Sequence, residues 1–187
     1  MRPQKIEEQE MLNGFAKLFK EKGYEGTSLA ELALVTGLKK ASLYHRFPQG
    51  KEEMAKAVLL NINNWVEEHV FNTLTNQLLS PAERLKNGLQ FIKKLYEEGN
   101  APCLLQAFSM QSGINIFSQL INDSMSYWVD AFTNIGLAFG LNQSVAKEKA
   151  TQVLIEIQGS LIVSRGFNNP KIFINTLNNI ETLYTKE

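Results

Sequence analysis

The chain has 187 residues, of which 44% are hydrophobic and 20% charged, and its formal net charge is zero, a composition typical of a soluble globular protein with one or two small domains. Its single cysteine, Cys103, excludes an intrachain disulfide and predicts no metal cluster. No apolar run approaches the roughly 18 residues of a membrane-spanning helix, and the charged start lacks a signal-peptide pattern, so we expect a cytoplasmic protein.

The N-terminal third predicts three helices followed by a long one, with glycine or proline at the breaks. Phe15 and Phe19 follow helical spacing on one face of the first helix, which Gly23 ends. Gly37 suits a turn with positive φ between the second and third helices, and Pro48 stops the third. The predicted helices cover about residues 5–22, 29–35, 39–46 and 51–79.

The rest of the chain also predicts helices only. Ser80-Pro81-Ala82-Glu83 combines a capping serine, a proline at the first helical position and a capping-box glutamate. An aromatic stripe runs from Phe117 to Phe139 at spacings of three and four. The predicted helices cover about residues 81–98, 103–111, 115–139 and 145–165, and a last one begins at 170. We expect an all-α protein with domains of residues 1–50 and 51–187.

Positive charge is concentrated at the start of the chain. Residues 1–51 contain nine Lys or Arg and six Asp or Glu, whereas residues 52–187 contain ten and thirteen. The stretch from Thr36 to Lys51 holds four basic residues and no acidic one. By itself such a run also fits a solvated surface. Here it coincides with two short helices around Gly37, a pattern that predicts a helix-turn-helix whose third helix enters the major groove.

This region resembles the N-terminal domain of TetR/AcrR-family transcriptional regulators over about residues 5–58. The resemblance is carried by Phe19, Gly23-Tyr24, Gly26-Thr27-Ser28, Leu32-Ala33, the run Gly37-Leu38-Lys39-Lys40-Ala41-Ser42-Leu43-Tyr44-His45-Arg46-Phe47, and Lys51-Glu52-Glu53. The C-terminal layout, with Cys103-Leu104-Leu105 after the fifth helix, is similar to the LmrA/YxaF-type branch. The family implies an N-terminal helix-turn-helix domain and a C-terminal helical domain for ligand binding and dimerisation.

The resemblance also implies which residues contact DNA. Thr27 would cap the second helix near a phosphate, Tyr44 and His45 would touch the DNA backbone, and Lys51 would reach a phosphate. Lys39 stands where the family usually has Ser or Thr, which removes a cap worth about 1 kcal/mol and adds a cation. The expected DNA-binding residues are Thr27, Ser28, Lys39, Lys40, Ala41, Ser42, Tyr44, His45 and Lys51.

The C-terminal half is rich in aromatic residues, most of which we expect in the core. The family further implies a cavity for a small lipophilic or aromatic effector, lined by apolar residues with a few polar anchors. The expected ligand-binding residues are Trp65, Phe91, Tyr96, Cys103, Gln106, Phe108, Phe117, Ser124, Trp128 and Phe132. Further polar candidates are Ser109, Gln111 and Asn115.

The family implies that the last two helices pair with their copies in a homodimer. The expected interface residues are Leu154, Ile157, Gly159, Leu161, Phe173 and Leu177. The predicted function is a ligand-responsive repressor that binds a palindromic, double-stranded operator and is released by a small effector, without a cofactor.

Two other classes of protein remain as alternatives, a helical enzyme and an adaptor without DNA binding. The enzyme would need a catalytic group, and His69, Asp123 and Asp130 fit structural or surface roles better. The sequence has no metal-ligand spacing and no phosphate-binding glycine loop. An adaptor leaves unexplained why the basic stretch coincides with the turn.

Overall fold

A computed structural model describes residues 6–110 and 112–185, and every regular element in that part of the chain is a helix. The all-α prediction is confirmed. A π-helical turn, Glu67–Phe71, lies between α4 and α5, and a 3₁₀ turn, Glu97–Gly99, lies between α6 and α7. The helices are α1 (Glu8–Gly26), α2 (Leu29–Thr36), α3 (Lys40–Arg46), α4 (Lys51–Val66), α5 (Asn72–Thr75), α6 (Pro81–Leu95), α7 (Leu104–Phe108), α8 (Gly113–Ala138), α9 (Gln143–Gly166) and α10 (Lys171–Thr185).

The chain divides into two compact units. Unit 1 consists of Met1–Asn63 and Leu104–Ile121, and unit 2 of Asn64–Cys103 and Asn122–Glu187. Unit 1 therefore takes in more than the predicted domain of residues 1–50, because a second, distant segment packs with the N-terminal helices. Periodicity cannot reveal that segment, since it shows which face of a helix is buried but not what buries it.

The core of unit 1 forms where the apolar faces of its short helices meet. Phe15 and Phe19 on α1, Leu32 on α2 and Leu43 on α3 are all fully buried. Burying such a side chain contributes about 1.5–3 kcal/mol, so these residues hold together helices that are too short to be stable alone. Gly23 adopts a left-handed φ of 71° inside α1, which breaks the helix before its last turn.

Unit 2 is built around the antiparallel hairpin of α9 and α10. Near its turn, the Phe173 amide donates to Ser164 Oγ at 3.0 Å, and at its open end Lys149 Nζ donates to the Leu183 carbonyl at 2.9 Å. Phe173, at the start of α10, is fully buried and packs against Gly99. The capping box predicted at the start of α6 is confirmed, since Ser80 Oγ accepts from the Glu83 amide and the Glu83 carboxylate from the Ser80 amide.

Gly99, in the 3₁₀ turn between α6 and α7, is expected to tolerate substitution poorly. Its φ is 97°, and an added Cβ would lie 2.9 Å from the Cβ of Phe173. Gly99→Ala should lower the free energy of unfolding by about 1–2 kcal/mol for the left-handed backbone plus roughly 1–3 kcal/mol for overpacking. Gly140→Ala is the matched control, because Gly140 has a φ of 86° with no atom within 4 Å of the added Cβ. Urea denaturation of both variants measures the difference, and equal losses would contradict the steric part of the explanation.

Candidate nucleic-acid interface

The helix-turn-helix consists of α2, the turn at Gly37 and α3. Gly37 is left-handed, with φ 65° and ψ 9°, and its amide donates to the Leu34 carbonyl at 3.2 Å. Leu32 on α2 and Leu43 on α3 are fully buried, so one apolar anchor fixes each helix. Phe47, at the end of α3, packs edge-on against Phe15 of α1 with ring centroids 6.0 Å apart. This contact holds the end of α3 against α1.

The side of α3 that faces away from this core carries the predicted DNA-binding residues. Lys40, Ala41, Tyr44 and His45 are exposed, and Ser42 is half-buried. Lys39, at the N-cap position, is also exposed and makes no side-chain capping bond. α3 therefore presents a continuous exposed surface with two ammonium groups at its N-terminal end.

The start of α2 differs from the sequence prediction. Ser28, not Thr27, is the N-cap, since Ser28 Oγ accepts from the Glu31 amide and the Ser28 amide donates to Glu31 Oε2 at 2.8 Å. Thr27 is only 1% exposed, and its hydroxyl donates to the Gly23 carbonyl at 2.8 Å. The prediction that Thr27 caps α2 is wrong because its side chain turns inward to satisfy α1. Ser28 is the exposed hydroxyl at this helix start.

Lys51 begins α4, as predicted, but its ammonium group does not lie in solvent as Lys39 and Lys40 do. Its Nζ donates to the Tyr24 carbonyl at 2.9 Å and to the Thr27 carbonyl at 3.1 Å. The same Nζ lies 4.3 Å from the centroid of the Tyr24 ring. These contacts could not be predicted from the sequence, because the partners are more than twenty residues away and two of them are backbone carbonyl oxygens.

The predicted ligand-binding residues are divided between the two units. Phe108 and Phe117 stack on each other in unit 1 at 4.7 Å, where Gln106 is half-buried. The others belong to unit 2 and form separate contacts there. The unit 2 groups are Trp65 and Phe91 around His69, Tyr96 with Cys103, and Trp128 with Phe132 and Phe71, while Ser124 is buried on α8. Among the further polar candidates, Ser109 and Asn115 belong to unit 1, and Gln111 lies outside the described residues.

Cys103 is buried beside a tyrosine. The Tyr96 hydroxyl lies 3.6 Å from Cys103 Sγ, and Gln158 Nε2 lies 3.4 Å from the same hydroxyl. Burial raises the pKa of Tyr96, and the neighbouring thiol raises it further. The tyrosine therefore stays protonated and can donate toward the sulfur.

Four of the six predicted interface residues are buried in the core of unit 2. Ile157, Leu161, Phe173 and Leu177 are at most 5% exposed and belong to the core of the chain itself, so they are not available to a partner. Leu154 and Gly159 are half-buried. A second apolar stripe on α9 is exposed instead, with Ile155 at 65%, Ile162 at 53% and Val163 at 42%. An open groove of about 420 Å³ lies between α9 and α10, lined by Glu156, Gly159, Ser160, Val163, Ile172, Thr176 and Asn179.

Within residues 6–110 and 112–185, no group of three or more His, Cys, Asp or Glu side chains could hold a metal ion. None of the helices in this part of the chain has the length and apolar character that crossing a membrane requires.

Sequence comparison identifies relatives of the helix-turn-helix and of most of the chain. The model of the family "Bacterial regulatory proteins, tetR family" matches residues 12–58. The HTH-type transcriptional regulator LmrA of Bacillus subtilis is 25% identical over 162 residues, which is 83% of this chain and 85% of LmrA. The uncharacterized HTH-type transcriptional regulator YxaF of the same organism is 34% identical over 86 residues, which is 46% of this chain and 43% of YxaF. The predicted similarity to LmrA and YxaF is confirmed.

Structural comparison extends the likeness to the whole fold. A TetR transcriptional regulator from Legionella pneumophila superposes with a TM-score of 0.82 at 19% identity, covering 98% of this chain and 99% of that protein. The regulatory protein TetR from Rhodobacter sphaeroides gives a TM-score of 0.78 at 14% identity, covering 93% and 96%. The fold of this chain is thus the fold of those regulators.

The capping network at the start of α2 predicts a pH dependence of stability. Hydrogen bonds from Lys22, and then from Ser28, lower the pKa of Glu31 from its ordinary value of 4.5 to about 2. A carboxylate with a lowered pKa stabilises the folded state above its unfolded pKa and loses that effect as pH falls through the folded value. The thermal midpoint of the wild type should therefore exceed that of Glu31→Gln above pH 4.5, and the gap should close toward about pH 2.

The matched control is Glu10→Gln, which removes an exposed carboxylate from the first turn of α1. Thermal melts followed by circular dichroism across this pH range compare the two variants with the wild type. A gap between wild type and Glu31→Gln that does not change with pH would contradict the role given to this carboxylate.

Proposed function

Because the chain belongs to the TetR family of bacterial regulatory proteins, we propose that this transcriptional regulator is a repressor. It would bind a palindromic operator as a homodimer and dissociate from it when a small lipophilic effector binds. The observation that carries the proposal is the outward face of α3, where exposed Lys39, Lys40, Tyr44 and His45 stand in a stretch without an acidic residue. Its relative LmrA is an HTH-type transcriptional regulator, and YxaF is an uncharacterized regulator of the same type.

In this proposal α3 enters the major groove and each exposed side chain has a role. Lys40 and Ser42 would contact base edges, because residues at the start of a recognition helix reach furthest into the groove. Lys39, Tyr44, His45 and Ser28 would contact the sugar-phosphate backbone, which positions the helix without reading sequence. Ala41 is small enough to let the helix approach the bases closely. Since several phosphates would be neutralised, affinity should fall steeply with salt.

The homodimer is proposed to form through the exposed stripe of α9 and the groove beside it. Ile155, Gly159 and Ile162 recur at spacings of four and three along α9, and glycine at the centre permits a close helix approach. A second copy supplies the same apolar stripe in a two-fold arrangement. Two copies would then present two recognition helices to successive major grooves, about 34–36 Å apart on a palindrome.

The effector is proposed to bind in the C-terminal half, which family membership and its partly exposed aromatic residues support. Trp65 and Phe91 are half-buried, and His69 stacks on Trp65 with ring centroids 4.4 Å apart. A flat, apolar effector suits such surroundings. Binding of effector and of operator would be coupled reciprocally, so DNA must weaken effector binding by the same factor as the effector weakens DNA binding.

The DNA-binding role is tested on the DNA directly upstream of the coding sequence of this chain. Lys40→Ala and Tyr44→Ala should each weaken binding by about 1–3 kcal/mol, which is roughly fivefold to 150-fold, with circular dichroism spectra unchanged. Lys147→Ala, an exposed lysine of α9, is the control and should bind as the wild type does. Gel-shift titrations at several salt concentrations measure the affinities. Full binding by both α3 variants would contradict the roles given to Lys40 and Tyr44, and wild-type binding that does not respond to salt would count against a specific DNA-binding role.

The interface is tested by placing a charge on the exposed stripe. Ile162→Asp should convert the dimer to a monomer, because two buried carboxylates facing each other across a two-fold axis are strongly unfavourable. Leu78→Asp, at a 94% exposed leucine between α5 and α6, is the control and should remain dimeric. Sedimentation equilibrium measures the mass of each. A dimer that persists in Ile162→Asp places the interface elsewhere.

A further inference from the structure

We propose that Lys51 is a positioning residue for DNA binding, which acts by holding the connection between α1 and α2 rather than by contacting a phosphate. Its effect on DNA affinity rests on the proposed function, whereas its effect on the protein itself does not. The proposal differs from the family-based expectation of a phosphate contact, and the geometry of three groups around the Lys51 ammonium supports it.

The connection between α1 and α2 contains carbonyl groups that need a partner. Gly23 interrupts α1 with φ 71° and ψ 178°, and Thr27 is extended with φ −94° and ψ 122°. Carbonyl groups at a helix end have no intrahelical donor and require another one. The Tyr24 carbonyl receives a 3.4 Å bond from the Thr27 amide, and Lys51 Nζ gives it a shorter one at 2.9 Å. The Thr27 carbonyl receives Lys51 Nζ at 3.1 Å.

The ammonium group also holds the Tyr24 ring in place. Lys51 Nζ lies 4.3 Å from the ring centroid, a distance at which a cation is attracted to the ring face. The ring also meets Phe117 edge-on at 5.0 Å and Phe108 at 6.3 Å. Phe19 stacks on the same ring at 6.4 Å, so the tyrosine is held by Lys51 and three aromatic rings of unit 1. Lys51 contributes a cation–π contact to this ring.

These contacts determine where α2 begins. Thr27 is bound through its carbonyl to Lys51 and through its hydroxyl to the Gly23 carbonyl, and Ser28, the exposed N-cap, follows directly. A lysine in the first turn of a helix lies at the positive end of the helix dipole, which disfavours a cation. Two carbonyl oxygens and a ring face compensate for that position. A phosphate would have to compete with all three.

Salt dependence separates the two roles. Loss of one direct phosphate contact lowers the slope of log affinity against log salt by about 0.9. Lys51→Met keeps the apolar stem but removes the charge, and it should weaken binding to the upstream DNA about tenfold with an unchanged slope. Lys39→Met is the matched control, since its ammonium is exposed, and should lower the slope by about 0.9. A slope that falls by that amount in Lys51→Met overturns the proposal.

Hydrogen exchange tests the connection without DNA. The amides of Thr27 and Leu32, which bond to the Tyr24 and Ser28 carbonyls, should exchange roughly tenfold faster in Lys51→Met and no faster in Lys39→Met. Unchanged exchange in Lys51→Met overturns the proposal even if DNA binding falls. If the wild type binds no operator duplex, the proposed function fails, and exchange still decides whether Lys51 holds this connection.

A milder variant covers the case in which Lys51→Met does not fold. Lys51→Gln has no charge but keeps an amide donor that can satisfy a carbonyl. A positioning role predicts that Lys51→Gln retains part of the wild-type affinity at an unchanged salt slope. If its slope falls by about 0.9, the ammonium contacts a phosphate and the proposal is overturned.

Discussion

The recognition helix is seven residues long, and a helix of that length is not stable by itself, since even good helix-forming sequences need about 12–15 residues in water. Its orientation therefore depends on packing. Leu43 is buried below it, Phe47 contacts Phe15 at its end, and Gly37 sets the angle at which it leaves α2. Because these three contacts orient the helix, the residues on its polar side are not needed for packing and are available to contact DNA.

The sequence was informative wherever a local rule governs the structure. Helix starts follow from capping chemistry, as at Ser80, and the exposed face of α3 follows from the spacing of Leu43 relative to Lys40 and Tyr44. The prediction of Thr27 as the cap of α2 was wrong, because Thr27 and Ser28 are chemically similar neighbours and Ser28 is the cap. The difference between them is that Thr27 satisfies the Gly23 carbonyl, a contact that depends on the break in α1 and not on the residue type.

Partners in space were harder to predict than faces along a helix. α9 has two apolar stripes, one containing Ile157 and Leu161 and the other Ile155 and Ile162. Both satisfy helical periodicity, and only the fold shows that the first stripe is the core of the chain. The same limit applies to Phe108 and Phe117, whose helical spacing did not show that they stack on each other in unit 1.

Residues 104–121 belong to the same compact unit as the N-terminal helices, although they are about forty residues beyond the end of its first segment. Phe19 and Tyr24 use the rings of Phe108 and Phe117 as part of their packing. A chimaera that takes its N-terminal helices from one relative and its remaining chain from another would therefore join mismatched halves of a single core. To exchange DNA specificity between such proteins, either both segments of unit 1 must be transferred together, or the substitutions must be restricted to the outer side of α3.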